Sequence, residues 1–294
     1  MTQRLPPTEA ENPRSAGLDL LTTPALVELL IADQRSAVDA ALAQTQSIAR
    51  AVDEIVRRLS RGGRLHYVGA GSSGRIATLD ASEMPPTFGT PPEMVQAHIA
   101  GGTTALTSAV EGAEDDASAG DVAMLGCVRA DDAVLGISAS GAAAFVVAAI
   151  ARARTIGAYT IALTGDAQST LARAAELAIV PATGAEVLVG STRLKAGTAQ
   201  KVALNAISTA VMVRLGKVYD NLMVDVVANN HKLRARALRL IVRLAQVNED
   251  RAEELLAQAG GSVKTAVLME RRGVGAMQAR ALLERNDGAL RRLF

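Results

Sequence analysis

The sequence predicts an α/β protein: a parallel β-sheet with helices on both faces, followed by a small helical module. Three observations point there. Short apolar segments of strand character alternate with helical ones between residues 65 and 180, the pattern of βαβ units. Two of those segments run straight into Gly/Ser-rich turns that open helices. Beyond Ser191 the strand pattern stops and helical periodicity takes over.

Taken in order, Thr23-Pro24 opens a helical pattern, a cap followed by proline at the first helical position. That periodicity runs with little interruption to Leu59 and ends at Gly62-Gly63. The expected strands are Leu65–Val68, Val95–Ile99, Ala133–Ile137, Tyr159–Leu163 and Leu177–Val180. From Ser191 to about Val247 the pattern reads as almost wholly helical, with Leu233, Ala237, Leu240, Ile241 and Leu244 forming an apolar stripe. Arg234, Arg236, Arg239 and Arg243 lie off that stripe and read as a solvated face. The last residues hold a weak repeat: Glu254–Lys264 resembles Ala281–Arg291, each a helix, a glycine turn and a second helix start. The expected division is therefore an N-terminal helical segment (1–60), a sheet domain (61–247) and a C-terminal helical module (248–294).

Composition narrows the function. The chain has 294 residues and a net charge of +1, so nothing draws it to nucleic acid or to an anionic membrane. Aromatics are 2% with no Trp, which leaves no base-stacking platform. The N-terminus carries Glu9 and Glu11 without an apolar core, unlike a secretory signal. The most apolar run, Ala142–Ala151, is half of a bilayer span. Cys127 is the only cysteine, so an intrachain disulfide and a Cys-rich zinc site are excluded, and a reducing, cytoplasmic location is expected.

The most informative stretch is His66–Arg75, where a strand enters a loop with Gly69, Gly71 and Gly74 before a helix. Free N–H groups at such a helix start attract an anion, and Ser72 and Ser73 add two hydroxyls suited to a terminal phosphate. The same glycines would serve a purely structural turn, and their spacing matches G-x-G-x-x-G. A dinucleotide site also wants an acidic residue closing the second strand, and here that strand ends in Ile99-Ala-Gly-Gly. A second loop, Gly136–Gly141, again follows a strand and presents Ser138 and Ser140. Two such loops at the carboxyl ends of parallel strands build one anion-binding crevice, which favours a small phosphorylated ligand.

Glu83 stands just before Pro85-Pro86, and Glu114 ends Val110-Glu-Gly-Ala-Glu. Two carboxyl groups reaching one crevice can divide acid and base roles. His66, His98 and His231 are scattered with no metal-ligand spacing, so structural roles are expected and no metal is assigned. No Ser–His–Asp triad has local support.

The chain resembles the N-acetylmuramic acid 6-phosphate etherase family of the SIS (sugar isomerase) phosphosugar-binding group. The likeness covers nearly the whole chain: the loop Val68–Gly74, Ala81–Gly89, Ile99–Gly102, Val110–Asp116, Gly190–Lys201, Leu215–Tyr219 and Asn221–Asp225. It implies an SIS-type three-layer fold, a phosphosugar substrate and cleavage of its D-lactyl ether without metal or other cofactor. It also implies Glu83 as acid and Glu114 as base, with Gly71, Ser72, Ser73, Ser138, Ser140, Glu186, Ser191 and Lys195 on the substrate. A homodimer is implied, with helices such as 191–215 at its interface. The related glucokinase regulatory proteins share the Gly190–Lys195 block and bind phosphosugars without this catalysis, which leaves a non-catalytic sensor as the alternative; an aldose–ketose isomerase is a third. Ala142-Ala-Ala144 replaces the family's usual Arg-Thr-Pro, Ala185 a usual Pro, and Asp220 a usual Gly.

Overall fold

The computed structural model describes residues 6–226 and 231–294. Helices α1 (Thr23–Asp33), α2 (Arg35–Leu42) and α3 (Thr45–Leu59) come first, so the expected long helical run is broken at Gln34 and at Ala43-Gln44. Strand β1 (Leu65–Gly69) leads into α4 (Gly71–Ser82) and the short α5 (Met84–Phe88). Then follow β2 (Val95–Ile99), α6 (Ala117–Met124), β3 (Ala133–Ile137) and α7 (Ala144–Ile156). Strand β4 (Tyr159–Leu163), α8 (Thr170–Ala174) and β5 (Leu177–Ile179) complete the sheet, and the long α9 is Lys195–Arg214. Helices α10 (His231–Ile241), α11 (Glu249–Gln258), α12 (Val263–Arg272) and α13 (Ala276–Glu284) end the chain.

The five strands among the described residues are parallel in the order β2-β1-β3-β4-β5. Each expected strand is present within about one residue of its expected ends. Every residue of β1 and β3 is buried, as a parallel strand covered on both faces requires. The strand order reverses direction between β1 and β3, the switch point at which open α/β sheets leave a crevice. On one face, Val68, Val134 and Ala162 pack against Met124, Phe145, Val146 and Ile150. Burying side chains of that size contributes about 1.5–3 kcal/mol each, so this layer fixes α6 and α7 against the sheet.

The chain divides into two compact units, one of residues 1–81 and 93–208, the other of 82–92 and 209–294. Packing thus divides the chain at places other than the expected boundaries near 60 and 247. In the second unit, Leu240, Ile241, Leu255, Leu256, Val267 and Leu268 share one core. Both repeat copies have the expected plan. Gly260 and Gly261 turn the chain after α11, and the Ser262 side chain accepts from the Thr265 N–H to cap α12. Gly288 does the same turn before the short 3-10 helix Leu290–Leu293.

Continuous helix across 191–247 is not observed. Helix α9 ends at Arg214, Gly216 (φ 72°) and Asp220 (φ 54°) turn left-handed, and Tyr219 bridges to Leu222. Lys264 holds this irregular segment from within, donating to the Gly216 and Gly288 carbonyls and to Asp225. Residues 227–230 of the expected helix lie outside the described residues. Of the four arginines expected on a solvated face, Arg234, Arg239 and Arg243 are exposed, Arg234 pairing with Glu253 at 2.8 Å, while Arg236 is half-buried beside Met223 Sδ.

Candidate active site

The site grows out of the loop between β1 and α4. Gly69 and Gly74 approach so closely that a Cβ on Gly69 would meet the Gly74 backbone at 2.7 Å. Glycine at both positions lets the strand turn at once into the helix. Gly71 takes φ 52°, a left-handed conformation that glycine adopts most readily. The first turn of α4 therefore presents Gly71, Ser72 and Ser73 at the carboxyl end of β1. Ser73 is buried and donates its Oγ proton to Gln200 Oε1 at 2.9 Å. Ser72 is half-buried and has no such partner among the described residues.

The β3–α7 loop is built on the same plan next door. Its Gly141 has φ 69°, and a Cβ there would run into Ser169 Oγ. Ser138 Oγ accepts from the Gly141 N–H at 3.1 Å, and Ser140 Oγ accepts from the Ala142 N–H at 3.3 Å. Each hydroxyl proton thus stays available to donate to an anion.

These loops line one cavity of about 120 Å³ with Gly71, Ser72, Ser73, Glu114, Ser138, Ser140, Ala143 and Thr192. A neighbouring cavity of about 170 Å³ is lined by Gly71, Arg75, Ala105, Val110, Gly112 and Glu114. Glu114 borders both. It rides on a short 3-10 helix, Ala113–Asp115, that follows the left-handed Gly112. The Arg75 side chain is committed to the Ala105 and Ser108 carbonyls, at 2.8 and 3.0 Å, and so braces the wall of the second cavity.

The structure thus brings together Gly71, Ser72, Ser73, Ser138, Ser140 and Glu114 of the expected site. Glu83 belongs to the second unit, exposed at the N-cap position of α5, where its side chain makes no cap bond. Ser191 is half-buried next to Thr192 but is absent from either cavity lining. Glu186 and Lys195 are occupied elsewhere. Glu186 is fully buried, its carboxylate accepting from the Lys195 and Ala196 N–H groups at 3.1 and 2.9 Å. Burial pushes its pKa up, and the two backbone bonds oppose that rise. It is a cap for α9. The Lys195 ammonium is buried 3.1 Å from Asp33 Oδ2.

Sequence reasoning missed Thr192, Arg75 and Gln200. Thr192 lay inside the Gly190–Lys195 block and Arg75 at the end of the glycine loop, but Gln200 reaches Ser73 from 127 residues away and left no local signal. Behind the loop, Tyr67 donates to Asp80 Oδ2 at 3.0 Å, and Ser208 donates to Asp80 Oδ1 at 3.2 Å. Lys201 stands 3.8 Å from the same carboxylate. Burial raises the Asp80 pKa despite these partners, and together they tie α4 to β1 and α9.

The Ala142-Ala-Ala144 departure has a structural counterpart: Ala143 is the N-cap of α7 and makes no side-chain cap bond. Ala143→Ser is expected to satisfy one helix-start N–H and to stabilise the protein by about 1 kcal/mol. A thermal melt should rise by roughly 2–4 °C. An unchanged or lower midpoint would show that the α7 N-terminus is already satisfied.

Comparison with known proteins adds three findings. Residues 47–154 match the glucokinase regulatory protein N-terminal SIS domain, and residues 104–210 match the SIS domain. N-acetylmuramic acid 6-phosphate etherase of Symbiobacterium thermophilum is 49% identical, over 91% of this chain and 89% of its own length. The enzyme of that name from Streptomyces avermitilis is 47% identical, over 97% of this chain and 92% of its own; that from Deinococcus radiodurans is 46% identical, over 98% and 94%. Among solved structures, a phosphoheptose isomerase from Francisella tularensis superposes with a TM-score of 0.51 at 23% identity, covering 66% of this chain and all of its own. A phosphosugar isomerase described for Bacteroides fragilis capsule formation superposes at 0.50 and 24%, covering 67% and 93%. These last two speak for the fold alone.

Proposed function

We infer from its membership of the N-acetylmuramic acid 6-phosphate etherase family, to which this chain belongs, that the protein cleaves the D-lactyl ether of N-acetylmuramic acid 6-phosphate. It is a carbon–oxygen lyase, and the products are N-acetylglucosamine 6-phosphate and D-lactate. A non-catalytic regulatory role is not favoured, because relatives spanning nearly the full length carry the etherase name. The observation that carries the site assignment is Glu114 at the border of a Ser/Gly-lined cavity and its neighbour.

An unactivated ether resists direct hydrolysis, whereas a leaving group β to a carbonyl can be eliminated. Opening the sugar ring exposes the C1 aldehyde and acidifies the C2 proton. Glu114 takes that proton, the C3–O bond to lactate breaks, and Glu83 protonates the departing oxygen. Water then adds to C3, so the net reaction consumes one water. Ser72, Ser138, Ser140 and the amides at Gly71 hold the phosphate, with Ser73 fixed behind them by Gln200. The phosphate anchor lies away from the reacting carbons, so its binding energy serves orientation. Ser191 belongs to the loop that carries Thr192 to the cavity, while Glu186 and Lys195 position the start of α9 behind that loop.

The decisive experiment is incubation of the purified protein with N-acetylmuramic acid 6-phosphate and assay of D-lactate. Turnover supports the etherase; binding without lactate would turn the protein into a phosphosugar sensor, and sugar isomerisation without lactate into an isomerase. Ser72→Ala is expected to weaken substrate binding by roughly 1–3 kcal/mol, the loss of a charge-assisted hydrogen bond. Ser73→Ala should cost less, since its proton already serves Gln200. An unchanged KM in a folded Ser72→Ala variant would remove that hydroxyl from the site.

The working protein is taken to be a cytoplasmic homodimer; no described helix is long and apolar enough to cross a membrane. One face of α9, with Ala199, Ala203, Leu204, Ile207 and Val211, is buried within the chain, and the other, with Asn205, Ala206, Thr209 and Val213, is exposed and is the face an interface at 191–215 would use. Large apolar side chains are also exposed on α1 and α2, at Val27, Ile31, Val38 and Leu42. Light scattering at the monomer mass would count against the dimer.

A further inference from the structure

Three chemistry-bearing groups the proposed reaction leaves unused sit together. His66 and His98 are 32 residues apart in sequence, yet the parallel pairing of β1 with β2 places His66 Nδ1 3.0 Å from His98 Nε2. Cys127, just beyond α6, completes the group: the nitrogens and the Sγ all lie within 4.8 Å of one another. It is a His/His/Cys cluster of the kind the scattered sequence positions did not suggest.

We propose that His66, His98 and Cys127 bind one borderline divalent cation of the zinc class. Tetrahedral zinc, about 2.0–2.3 Å from nitrogen and sulfur donors, sets its ligand atoms roughly 3.3–3.7 Å apart. The 3.0 Å between the two imidazole nitrogens and the 4.8 Å limit of the whole group bracket that spacing. The donor set is borderline to soft, which selects against magnesium and calcium. Three protein donors leave a fourth position for solvent.

The surroundings are those of a ligand shell. The other nitrogen of His66, Nε2, lies 3.2 Å from Asp132 Oδ2 and donates to it, which leaves the Nδ1 lone pair facing His98. A carboxylate on the far side of a ligating histidine is the usual device for fixing its tautomer. Asp132 is itself fully buried and held by the Arg64 side chain at 2.8 Å and by the Arg64 and Arg129 N–H groups, both at 2.8 Å. Arg64 offsets the Asp132 charge, so a Cys127 thiolate would supply the one unbalanced negative charge facing the cation. Without metal, His98 Nε2 donates to His66 Nδ1, and the Cys127 thiol donates to the Ala123 carbonyl at 2.9 Å. On binding, His98 carries its proton on Nδ1 instead, and the thiol proton is released to solvent. His66 is fully buried while His98 and Cys127 are half-buried, so a cation reaches the group from their side.

The test is a Co²⁺ titration of the tag-free, full-length protein. Binding of one equivalent should give a near-ultraviolet sulfur-to-cobalt band and visible bands of four-coordinate cobalt, with about one proton released per cation, and Zn²⁺ should bleach both. Cys127→Ser should abolish the sulfur band. His98→Gln should weaken Co²⁺ binding at least tenfold, and Asp132→Asn roughly 10–100-fold. Circular dichroism establishes that each variant is folded. Absence of these bands in the wild-type protein, or a sulfur band that survives in Cys127→Ser, would overturn the site. Because the readout is spectroscopic, it stands whether or not lactate is released.

Discussion

Glu83→Gln is expected to cut lactate release at least about 10²-fold while leaving exchange of the C2 proton intact. Glutamine keeps the size and hydrogen-bonding reach of the side chain but has no proton to give the departing oxygen. On the proposed assignment Glu114 remains in that variant to remove the C2 proton. In heavy water, the C2 signal of N-acetylglucosamine 6-phosphate should therefore fade at close to the wild-type rate. Glu114→Gln should suppress both exchange and lactate release. Loss of exchange in Glu83→Gln together with its survival in Glu114→Gln would reverse the two roles.

The second large effect is on stability. Glu186→Ala should leave the Lys195 and Ala196 N–H groups buried and unmatched, and deprive the start of α9 of its negative charge. Each stranded donor costs about 1–3 kcal/mol, so a loss of roughly 2–4 kcal/mol is expected. The thermal midpoint should fall by about 5–15 °C, and KM of the surviving folded enzyme should rise less than in Ser72→Ala. A variant with wild-type stability and a greatly raised KM would return Glu186 to direct contact with substrate.

What was legible in the sequence was local. The strands could be read because a buried parallel strand is a short apolar run between turn residues, as at Ala133–Ile137. The two Ser/Gly loops could be read because glycine is needed where a strand turns directly into a helix. Glu186 reads differently in the structure because its partners are the first N–H groups of a helix whose start the sequence pattern placed too early. The stretch 215–226 looked helical from its apolar residues, but Gly216 and Asp220 hold left-handed conformations that interrupt it. The meetings of Ser73 with Gln200 and of His66 with His98 and Cys127 depend on strand register and helix packing. No spacing along the chain encodes them.

The bond from Ser73 to Gln200, the Gly69–Gly74 contact and the Asp80 cluster hold the first turn of α4 rigid before any ligand arrives. The conformational entropy of that loop is given up during folding, not during association. Phosphate capture by this loop, as proposed, is thus expected to be lock-and-key rather than coupled ordering. Its calorimetric signature should be a small heat-capacity change, since no segment has to bury apolar surface for the anion to be held.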